Sequence, residues 1–293
     1  MKADALAIIG GFGLSLGDGI IGLQALHAGQ SVGLLPKARL YRQSGLGLVD
    51  QLYPLAADFA ETKALPTGWP PLDARDLAGR FGRVIDIRDF ALNPGFRGGA
   101  MIDFFLRKLG IDPQAVPSAL KRNTWLAPRA CLPPSAGRYV LVCPGSSMAM
   151  RDMPEAVHQR ILRTLCGGQS LPVLTQGDAG DSGAVAAGRC RTIAELLGLV
   201  AHARFVVSTD TAMVHLADAL GVPCLAFFTT HRPEWRVRDY PLCRAVHLPV
   251  AGLPEALEFS RSGEDVAAVR RAWMASADEV VDAVGAMAAS KTG

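Results

Sequence analysis

Short apolar runs alternate with helix-like segments along the whole chain. Runs such as YVLVC and RFVVS lack the polar alternation of a half-exposed strand, which is typical of parallel strands buried on both faces. This order of elements is typical of α/β proteins. The pattern predicts strands at Ala5–Gly10, Val32–Leu35, Val84–Ile87, Tyr139–Cys143, Pro172–Thr175, Phe205–Ser208 and Cys224–Phe228. It predicts helices at Gly17–Ala28, Gly99–Leu109, Pro154–Leu165, Ile193–Ala201, Thr211–Leu220 and Asp265–Ala288.

A proline-rich segment divides this pattern into two halves. The segment Pro128–Gly137 (PRACLPPSAG) contains three Pro and a Gly, and it precedes a fresh strand. The second half then restarts as strand, Gly-rich turn and helix. We therefore predict two Rossmann-like domains, residues 1–136 and 137–293, with parallel sheets that face each other across a cleft. In open sheets of this kind, ligands bind at the carboxyl ends of the strands.

Composition narrows the class of protein. Hydrophobic residues make up 49% and charged residues 19% of the 293 residues, which excludes a disordered chain. The net charge of +3 is too small to indicate a nucleic-acid partner. The stretch between Asp4 and Asp18 has only 13 uncharged residues, too few for a membrane span. It is also a poor signal peptide, because Asp4 breaks the charge pattern and the run ends in a glycine-rich turn without a small-residue cleavage site. We expect a cytoplasmic protein without a transmembrane segment.

Cysteine and histidine spacing indicates no metal site. The six Cys form no CxxC pair, so we expect free thiols in a reducing compartment. The six His form neither HxxxH nor HExxH, which argues against zinc. No Asp-x-Asp occurs either, the pattern in which two carboxylates hold a cation against a diphosphate.

The first candidate segment is the glycine-rich run Ile8–Leu26, where a strand leads through Gly13 and Gly17 to a helix that begins near Asp18. Glycine allows the backbone to approach a ligand closely. Asp18 is either a helix cap or a functional carboxylate.

The same run also allows a dinucleotide-binding interpretation. Gly11-x-Gly13 resembles part of that fingerprint, but the third Gly is displaced and no acidic residue ends the second strand. A phosphorylated dinucleotide would then depend on Lys37 or Arg39. This alternative describes an NADP-type oxidoreductase.

The second candidate segment follows the strand Tyr139–Cys143. Its loop contains Ser146 and Ser147, and Arg151 lies just before the helix start at Pro154. Hydroxyls with a guanidinium suit a phosphate or sugar ligand. The alternative is a polar turn with a solvated arginine.

The third candidate segment is the most informative. The strand Phe205–Ser208 leads to Asp210 and Thr211 at a helix start, where free N–H groups and positive potential bind phosphates well. His215 lies one turn further on the same face, as either a packed helix residue or a ligand contact. Downstream, the segment Thr229–Pro241 has three arginines around a tryptophan and is either a site loop or a solvated basic loop.

These residues carry a resemblance to a known family. Asp210-Thr211, then His215-Leu216-Ala217 and Ala219-Leu220-Gly221-x-Pro223, resemble the signature of glycosyltransferase family nine, the ADP-heptose:lipopolysaccharide heptosyltransferases and their relatives. The resemblance is good over residues 138–248 and weaker over 5–28. Two positions depart from the family pattern: Ala212 replaces the frequent Gly, and Arg151 replaces the usual Lys.

The resemblance implies a GT-B fold with an N-terminal acceptor-binding domain and a C-terminal nucleotide-sugar-binding domain. It implies a terminal helix over 265–288 that packs back on the first domain. By position, Asp18 matches the general base of the family, with Gly13 and Gly17 in its loop. The implied donor-binding residues are Ser146, Ser147, Arg151, Gly177, Asp210, Thr211, Ala212 and His215.

The resulting hypothesis is a metal-independent, inverting glycosyltransferase without a cofactor. It would move a sugar such as a heptose from a nucleoside-diphosphate donor to a glycan or glycolipid acceptor, in lipopolysaccharide or polysaccharide synthesis. The first 136 residues carry 15 Lys and Arg against 11 Asp and Glu, which suits an acidic glycolipid at the inner membrane surface. The alternative within the same fold is a catalytically silent sugar-nucleotide-binding or scaffold protein.

Overall fold

The computed structural model describes residues 5–65, 77, 80–127, 138–168 and 170–291 of the chain. It divides into two compact units, residues 1–129 and 130–293. The proline-rich segment Pro128–Gly137, on which the sequence-based boundary at 136 depends, lies outside the described residues.

The first unit is built on a parallel sheet of four strands in the order β3-β2-β1-β4. The buried β1 pairs with β2 on one side and β4 on the other, so it is central. The strands are β1 (Leu6–Ile9), β2 (Ala38–Gln43), β3 (Ala60–Leu65) and β4 (Arg83–Asp86), and the helices are α1 (Leu16–Ser31), α2 (Leu48–Leu52) and α3 (Met101–Lys108).

The predicted strand Val32–Leu35 is wrong, because these residues lie where α1 ends. The apolar run Val32–Leu35 forms the end of the helix rather than a strand. The backbone N–H of Leu34 donates to the carbonyl of Gly29, and Gly33 adopts a φ of 74°. A glycine in this left-handed conformation ends a helix because it carries no Cβ. The strand therefore begins only after Pro36, at Ala38.

The second unit contains a parallel sheet of six strands in the order β10-β9-β8-β5-β6-β7. Counted from β5, this is the 3-2-1-4-5-6 order of dinucleotide-binding domains. The strands are β5 (Tyr139–Cys143), β6 (Val173–Thr175), β7 (Val185–Ala186), β8 (Ala203–Thr209), β9 (Cys224–Phe228) and β10 (Cys243–His247). The helices are α4 (Glu155–Gly168), α5 (Ile193–Ala201), α6 (Ala212–Leu220), α7 (Glu234–Val237), α8 (Gly263–Ala275) and α9 (Ala277–Lys291).

The fold confirms the predicted class, an α/β protein with two parallel, Rossmann-like sheets. The strands predicted at Tyr139–Cys143, Phe205–Ser208 and Cys224–Phe228 are confirmed, as is the helix Ile193–Ala201. The sequence analysis missed β3, β7 and β10. All three lie outside the central strands of their sheets.

The chain terminus differs from the prediction of one helix over 265–288. The helix breaks at Ser276, which separates α8 from α9. Both parts pack on the core of the second unit, where Trp273 and Val280 are fully buried in the same apolar cluster as Ile161. The apolar face of the terminal helices is therefore covered by their own unit.

Five of the six cysteines lie in the described residues and are free thiols, as predicted: Cys143, Cys166, Cys190, Cys224 and Cys243. Cys131 lies outside the described residues. Among the helices that the structure describes, none combines the length and apolar character needed to cross a bilayer.

Candidate active site

The strand order of the second unit places a crevice between β5 and β8. Chain connections leave these two neighbouring strands in opposite directions along the sheet, and ligands bind outside the carboxyl ends of the strands at such a point. Arg151 follows β5, whereas Asp210 and Thr211 follow β8. The topology therefore brings these three predicted site residues to one edge of the sheet.

Thr211 is the N-cap of α6. Its backbone is extended, and its side-chain hydroxyl accepts a hydrogen bond from the N–H of Met213 at 3.4 Å. The first turn of α6 contains no acidic residue. The free N–H groups and the positive end of the helix dipole therefore remain as a site for an anion.

Asp210 is a buried carboxylate at this edge, with only 4% of its surface exposed. Its Oδ2 lies 3.5 Å from Nη1 of Arg151 and 3.7 Å from Nδ1 of His231. Burial would raise the pKa of this carboxyl, but the positive charges of Arg151 and Arg236 outweigh burial and lower it. Asp210 is therefore ionised at neutral pH.

Arg151 is only partly used by this ion pair. The hydroxyl of Thr209 donates to its backbone carbonyl, which fixes the loop beside β8. Its side chain is 17% exposed, and its buried Nε has no hydrogen-bond partner. A buried donor without a partner is costly, so this N–H favours an incoming acceptor such as a phosphate oxygen.

A second buried ion pair lies beside the first. Oε1 of Glu258 is 2.9 Å from Nε2 of His231 and 2.6 Å from Nη2 of Arg236. Burial would raise the pKa of Glu258, but the neighbouring His231 and the charge of Arg236 lower it to about 2. Arg151, Asp210, His231, Glu258 and Arg236, here called the charge cluster, form one continuous set of contacts.

Sequence reasoning missed His231 and Glu258. His231 follows β9 at its carboxyl end, so its position after a buried strand was an available signal. Glu258 lies in a segment without periodicity, and no sequence pattern marks it. Of the arginines around Trp235, only Arg236 is buried.

The other two arginines of that segment are surface residues. Arg232 pairs with Glu255, and both are about half exposed. Arg238 pairs with the neighbouring Asp239. For these two, the interpretation as a solvated basic loop is correct.

His215 is buried against the charge cluster. Its Nδ1 lies 2.9 Å from the hydroxyl of Tyr240. Burial lowers the pKa of His215 to about 4, against the opposing charge of Asp210. The ring is therefore neutral at physiological pH, and it interacts electrostatically with Asp210 and Arg151.

Ser146 and Ser147 have different surroundings. Ser146 organises its own loop, because its N–H donates to Asp152 and its hydroxyl donates to the carbonyl of Met148. Ser147 is exposed. Gly177 follows β6, and a Cβ there would lie 2.7 Å from Cγ of Pro144 and 2.8 Å from the ring of His158. Gly177 therefore allows close packing of two loops.

The first unit has its own strand-order reversal, between β1 and β4, and the glycine-rich loop lies there. Ser15, and not Asp18, is the N-cap of α1: its Oγ accepts from the N–H of Asp18. Gly17 lies in the first turn. Gly13 adopts a φ of 91°, and a Cβ there would lie 3.1 Å from Oδ2 of Asp18. The carboxylate therefore lies directly beside the loop.

Tyr53 holds this loop through a hydrogen bond to its backbone. Its hydroxyl accepts a hydrogen bond from the N–H of Phe12 at 2.8 Å, and the guanidinium of Arg42 stacks on its ring at 4.4 Å. Burial raises the pKa of Tyr53 to about 12, so the hydroxyl remains protonated.

The positions of Lys37 and Arg39 do not suit dinucleotide binding. Lys37 precedes β2 and donates to the carbonyl of Ala57, and Arg39 pairs with Glu61. Both lie at the amino end of β2, whereas ligands bind at the carboxyl ends of strands in such sheets.

Within the described ranges, no three His, Cys, Asp or Glu side chains converge in a group that could hold a metal ion.

Comparison with known proteins relates part of the chain to a family of enzymes. Residues 108–242 match the model of glycosyltransferase family 9 (heptosyltransferase). No curated protein sequence matches the chain. This match covers the strand β8, the start of α6 and Arg151.

Similar solved structures extend over both units. ADP-heptose LPS heptosyltransferase II from E. coli is 14% identical with a TM-score of 0.57, over 97% of this chain and 99% of its own. E. coli heptosyltransferase WaaC, solved with ADP-2-deoxy-2-fluoro heptose, is 17% identical with a TM-score of 0.55, over 84% and 93%. The iron-containing dodecameric glycosyltransferase TibC from enterotoxigenic E. coli is 16% identical with a TM-score of 0.61, over 96% and 75%.

At these identities, the structural likeness establishes the fold, which is that of GT-B heptosyltransferases. The match to glycosyltransferase family 9 (heptosyltransferase) is confined to residues 108–242. The chain is therefore similar to the heptosyltransferases of that family over this segment, and it shares the fold of their solved structures.

Proposed function

We propose that the chain is a metal-independent, inverting transferase that moves a sugar from a nucleoside-diphosphate donor to a hydroxyl of a glycan or glycolipid acceptor. The observation that carries this proposal is the arrangement of Arg151 beside the start of α6, at the strand-order reversal of the second sheet. No cofactor takes part in the proposed reaction.

The donor site is proposed where positive groups can stabilise the negative charge of the diphosphate. A diphosphate leaving group develops negative charge as the bond to the sugar breaks, so groups that stabilise that charge lower the barrier. The N–H groups at the start of α6 and the guanidinium of Arg151 supply positive potential there. These groups take the role that a divalent cation has in metal-dependent transferases. Thr211 caps the same helix, and Ala212 and His215 lie within it.

The acceptor side is assigned to the first unit. Asp18 takes the proton of the acceptor hydroxyl while the acceptor oxygen attacks the anomeric carbon. The bond between that carbon and the diphosphate oxygen breaks, and the configuration inverts. Gly13 and Gly17 leave room for a ligand close to the backbone beside Asp18.

The substrate class follows from the relatives and from charge. The similar structures are named for ADP-heptose and lipopolysaccharide, so a heptose and a glycolipid are the first substrates to test. The excess of basic residues in the first 136 residues suits an acidic acceptor, presented by a membrane to a cytoplasmic enzyme.

The function is tested first by thermal shift with ADP-, GDP-, UDP- and dTDP-linked glucose. A ligand at 100 times its Kd adds about 2.7 kcal/mol to the free energy of unfolding. Transfer from ADP-heptose to a lipopolysaccharide core acceptor is then measured with and without EDTA, and the anomeric configuration of the product is assigned. Binding without transfer would instead support the silent binding protein, and loss of activity with EDTA would contradict metal independence.

The donor site itself is tested by Arg151→Ala. Loss of a hydrogen bond to a charged ligand costs about 1.5–3 kcal/mol, so nucleotide binding weakens by about 10–150-fold. Thr211→Val costs less because the backbone donors remain, and Ala212→Gly is neutral or tightens binding. Calorimetric titration measures all three. The matched control is Arg232→Ala, a surface arginine in the same unit. Unchanged affinity in Arg151→Ala contradicts the site.

A further inference from the structure

His231 lies between two carboxylates in the charge cluster. Its Nε2 is 2.9 Å from Oε1 of Glu258, and its Nδ1 is 3.7 Å from Oδ2 of Asp210. The hydroxyl of Thr230 lies 3.0 Å from the same Nδ1. The ring is 1% exposed, so these groups rather than water determine its protonation.

The contacts indicate the tautomer of the neutral ring. A carboxylate only accepts hydrogen bonds, so the carboxylate of Glu258, 2.9 Å from Nε2, favours the tautomer with the hydrogen on Nε2, although the two groups are not aligned for a hydrogen bond. Nδ1 is then an acceptor for the hydroxyl of Thr230. The unprotonated Nδ1 also lies 3.7 Å from the carboxylate of Asp210, and that carboxylate is balanced by Arg151. Protonation of Nδ1 would turn this unfavourable contact into an ion pair.

The charges in the cluster balance without a ligand. Arg151 and Arg236 are positive, Asp210 and Glu258 are negative, and burial lowers the pKa of His231 so that its ring is neutral. A diphosphate diester adds two negative charges to this buried and balanced set. The protonation equilibrium of the buried ring then shifts toward the protonated form, because an added anion stabilises a nearby cation.

We propose that His231 takes up one proton when the diphosphate of the donor binds, and that the protonated ring replaces Arg151 as the partner of Asp210. Nη1 and Nε of Arg151 then turn to the diphosphate. The proton comes from solvent and adds to Nδ1, and no covalent bond changes. This inference rests on the proposed donor site. His231 is a positioning residue, since it acts through Asp210 and Arg151.

Other groups face the ring from the elements that surround it. Glu258 and Arg236 already form an ion pair, and the aromatic ring of Trp235 packs at 6.5 Å without titrating. His215 on α6 is the competing site for the proton, because it also interacts with Asp210. Its Nδ1, however, lies 2.9 Å from the hydroxyl of Tyr240, whereas Nδ1 of His231 lies 3.7 Å from Oδ2 of Asp210.

Calorimetry in buffers with different ionisation enthalpies tests the proposal. The probe is the tightest binder among ADP-, GDP-, UDP- and dTDP-linked glucose, whose doubly esterified diphosphates do not titrate near neutral pH. The dependence of the observed enthalpy on the buffer gives the number of protons taken up. We expect uptake approaching one proton per ligand at neutral pH, and an affinity that falls by up to about tenfold for each unit rise in pH.

Variants assign the proton to one ring. In His231→Gln, uptake and pH dependence disappear, whereas they remain in His215→Gln and in the control His202→Gln, whose ring bonds its own helix carbonyl. If His231→Gln does not fold, Thr230→Val is used. Removal of the hydroxyl that stabilises neutral Nδ1 allows protonation before binding, so uptake is reduced.

Three results overturn the proposal. They are binding to the wild-type protein without proton uptake, uptake that persists in His231→Gln, and uptake that is lost in His215→Gln alone. In each of them the probe still binds, so the donor site remains. If none of the four probes binds, the donor site and this inference both fail.

Discussion

The two sheets carry loops of different character at their strand-order reversals. In the first unit, the loop is short, rich in glycine and held by neutral groups: the hydroxyl of Tyr53 accepts from the N–H of Phe12, and Ser15 caps the helix. In the second unit, the corresponding edge contains the charge cluster, in which Asp210, His231 and Arg236 are buried and Arg151 and Glu258 are partly exposed.

The difference suits the two halves of the proposed reaction. An acceptor hydroxyl is neutral, so it needs a close approach and a single base, which the loop around Asp18 provides. A diphosphate is strongly anionic, so its site requires cations whose own charge must be balanced when the site is empty. Asp210 and Glu258 provide that balance, because Asp210 is paired with Arg151 and Glu258 with the buried Arg236.

The largest expected effect is on the rate of transfer. Asp18→Asn removes the proposed base and lowers turnover about 10²–10⁴-fold, while nucleotide affinity stays at the wild-type value. Ser15 remains the helix cap, so the fold is kept. Initial rates and calorimetry measure the two effects. The control is Asp112→Asn, an exposed cap in the same unit whose substitute also caps. Full turnover in Asp18→Asn would remove Asp18 from the mechanism.

Stability of the second unit depends on balanced buried charge. Arg236→Ala leaves Glu258 buried without this partner and lowers the free energy of unfolding by about 3–5 kcal/mol. Its matched control, Arg232→Ala, breaks an exposed pair and costs about 0–1 kcal/mol. Chemical denaturation measures both. Equal losses in the two variants would show that the charge cluster contributes no more than a surface pair.

The same carboxylate predicts a loss of stability in acid. Folding lowers the pKa of Glu258 from 4.5 to about 2, so its contribution is complete above the unfolded value and is lost as the pH falls between these two values. The loss is on the order of 3 kcal/mol. Glu258→Gln removes this part of the pH dependence, and the difference between the two proteins isolates it. If the wild-type protein and Glu258→Gln lost the same free energy of unfolding between neutral and acid pH, the prediction would be contradicted.

The smallest expected effect concerns the backbone of the first unit. Gly13→Ala places a Cβ 2.8 Å from the ring of Phe90 at a positive φ and costs about 1–3 kcal/mol. The change also displaces Asp18, so turnover falls while nucleotide binding is kept. Gly98→Ala is the control, because a Cβ there meets nothing within 4 Å. A neutral Gly13→Ala variant would show that the loop adapts without strain.

The central strands could be predicted because their runs are continuously apolar and buried on both faces. Tyr139–Cys143 and Cys224–Phe228 are examples. The missed strands are of another kind. β3 reads AETKAL and β10 reads CRAVH, and both are partly exposed, so polar side chains interrupt the pattern. β7 has two residues, too few to show a period.

The sequence by itself determined which residues follow the central strands. Asp210 and Thr211 come directly after such a run, Arg151 lies in the loop that follows another, and Asp18 lies in the helix that follows β1. These positions are fixed by local order along the chain, since the carboxyl ends of parallel strands share one edge of the sheet. The helix start at Thr211 was likewise readable from a capping residue before an apolar helix.

Only the tertiary structure decided which charges are buried together. Glu258 has no local signal, and three similar arginines around Trp235 differ in role because one of them is covered by the fold. Burial removes water, which makes each charge depend on a partner from another segment of the chain. The position of His231 between Asp210 and Glu258 therefore results from the packing of loops that are distant in sequence.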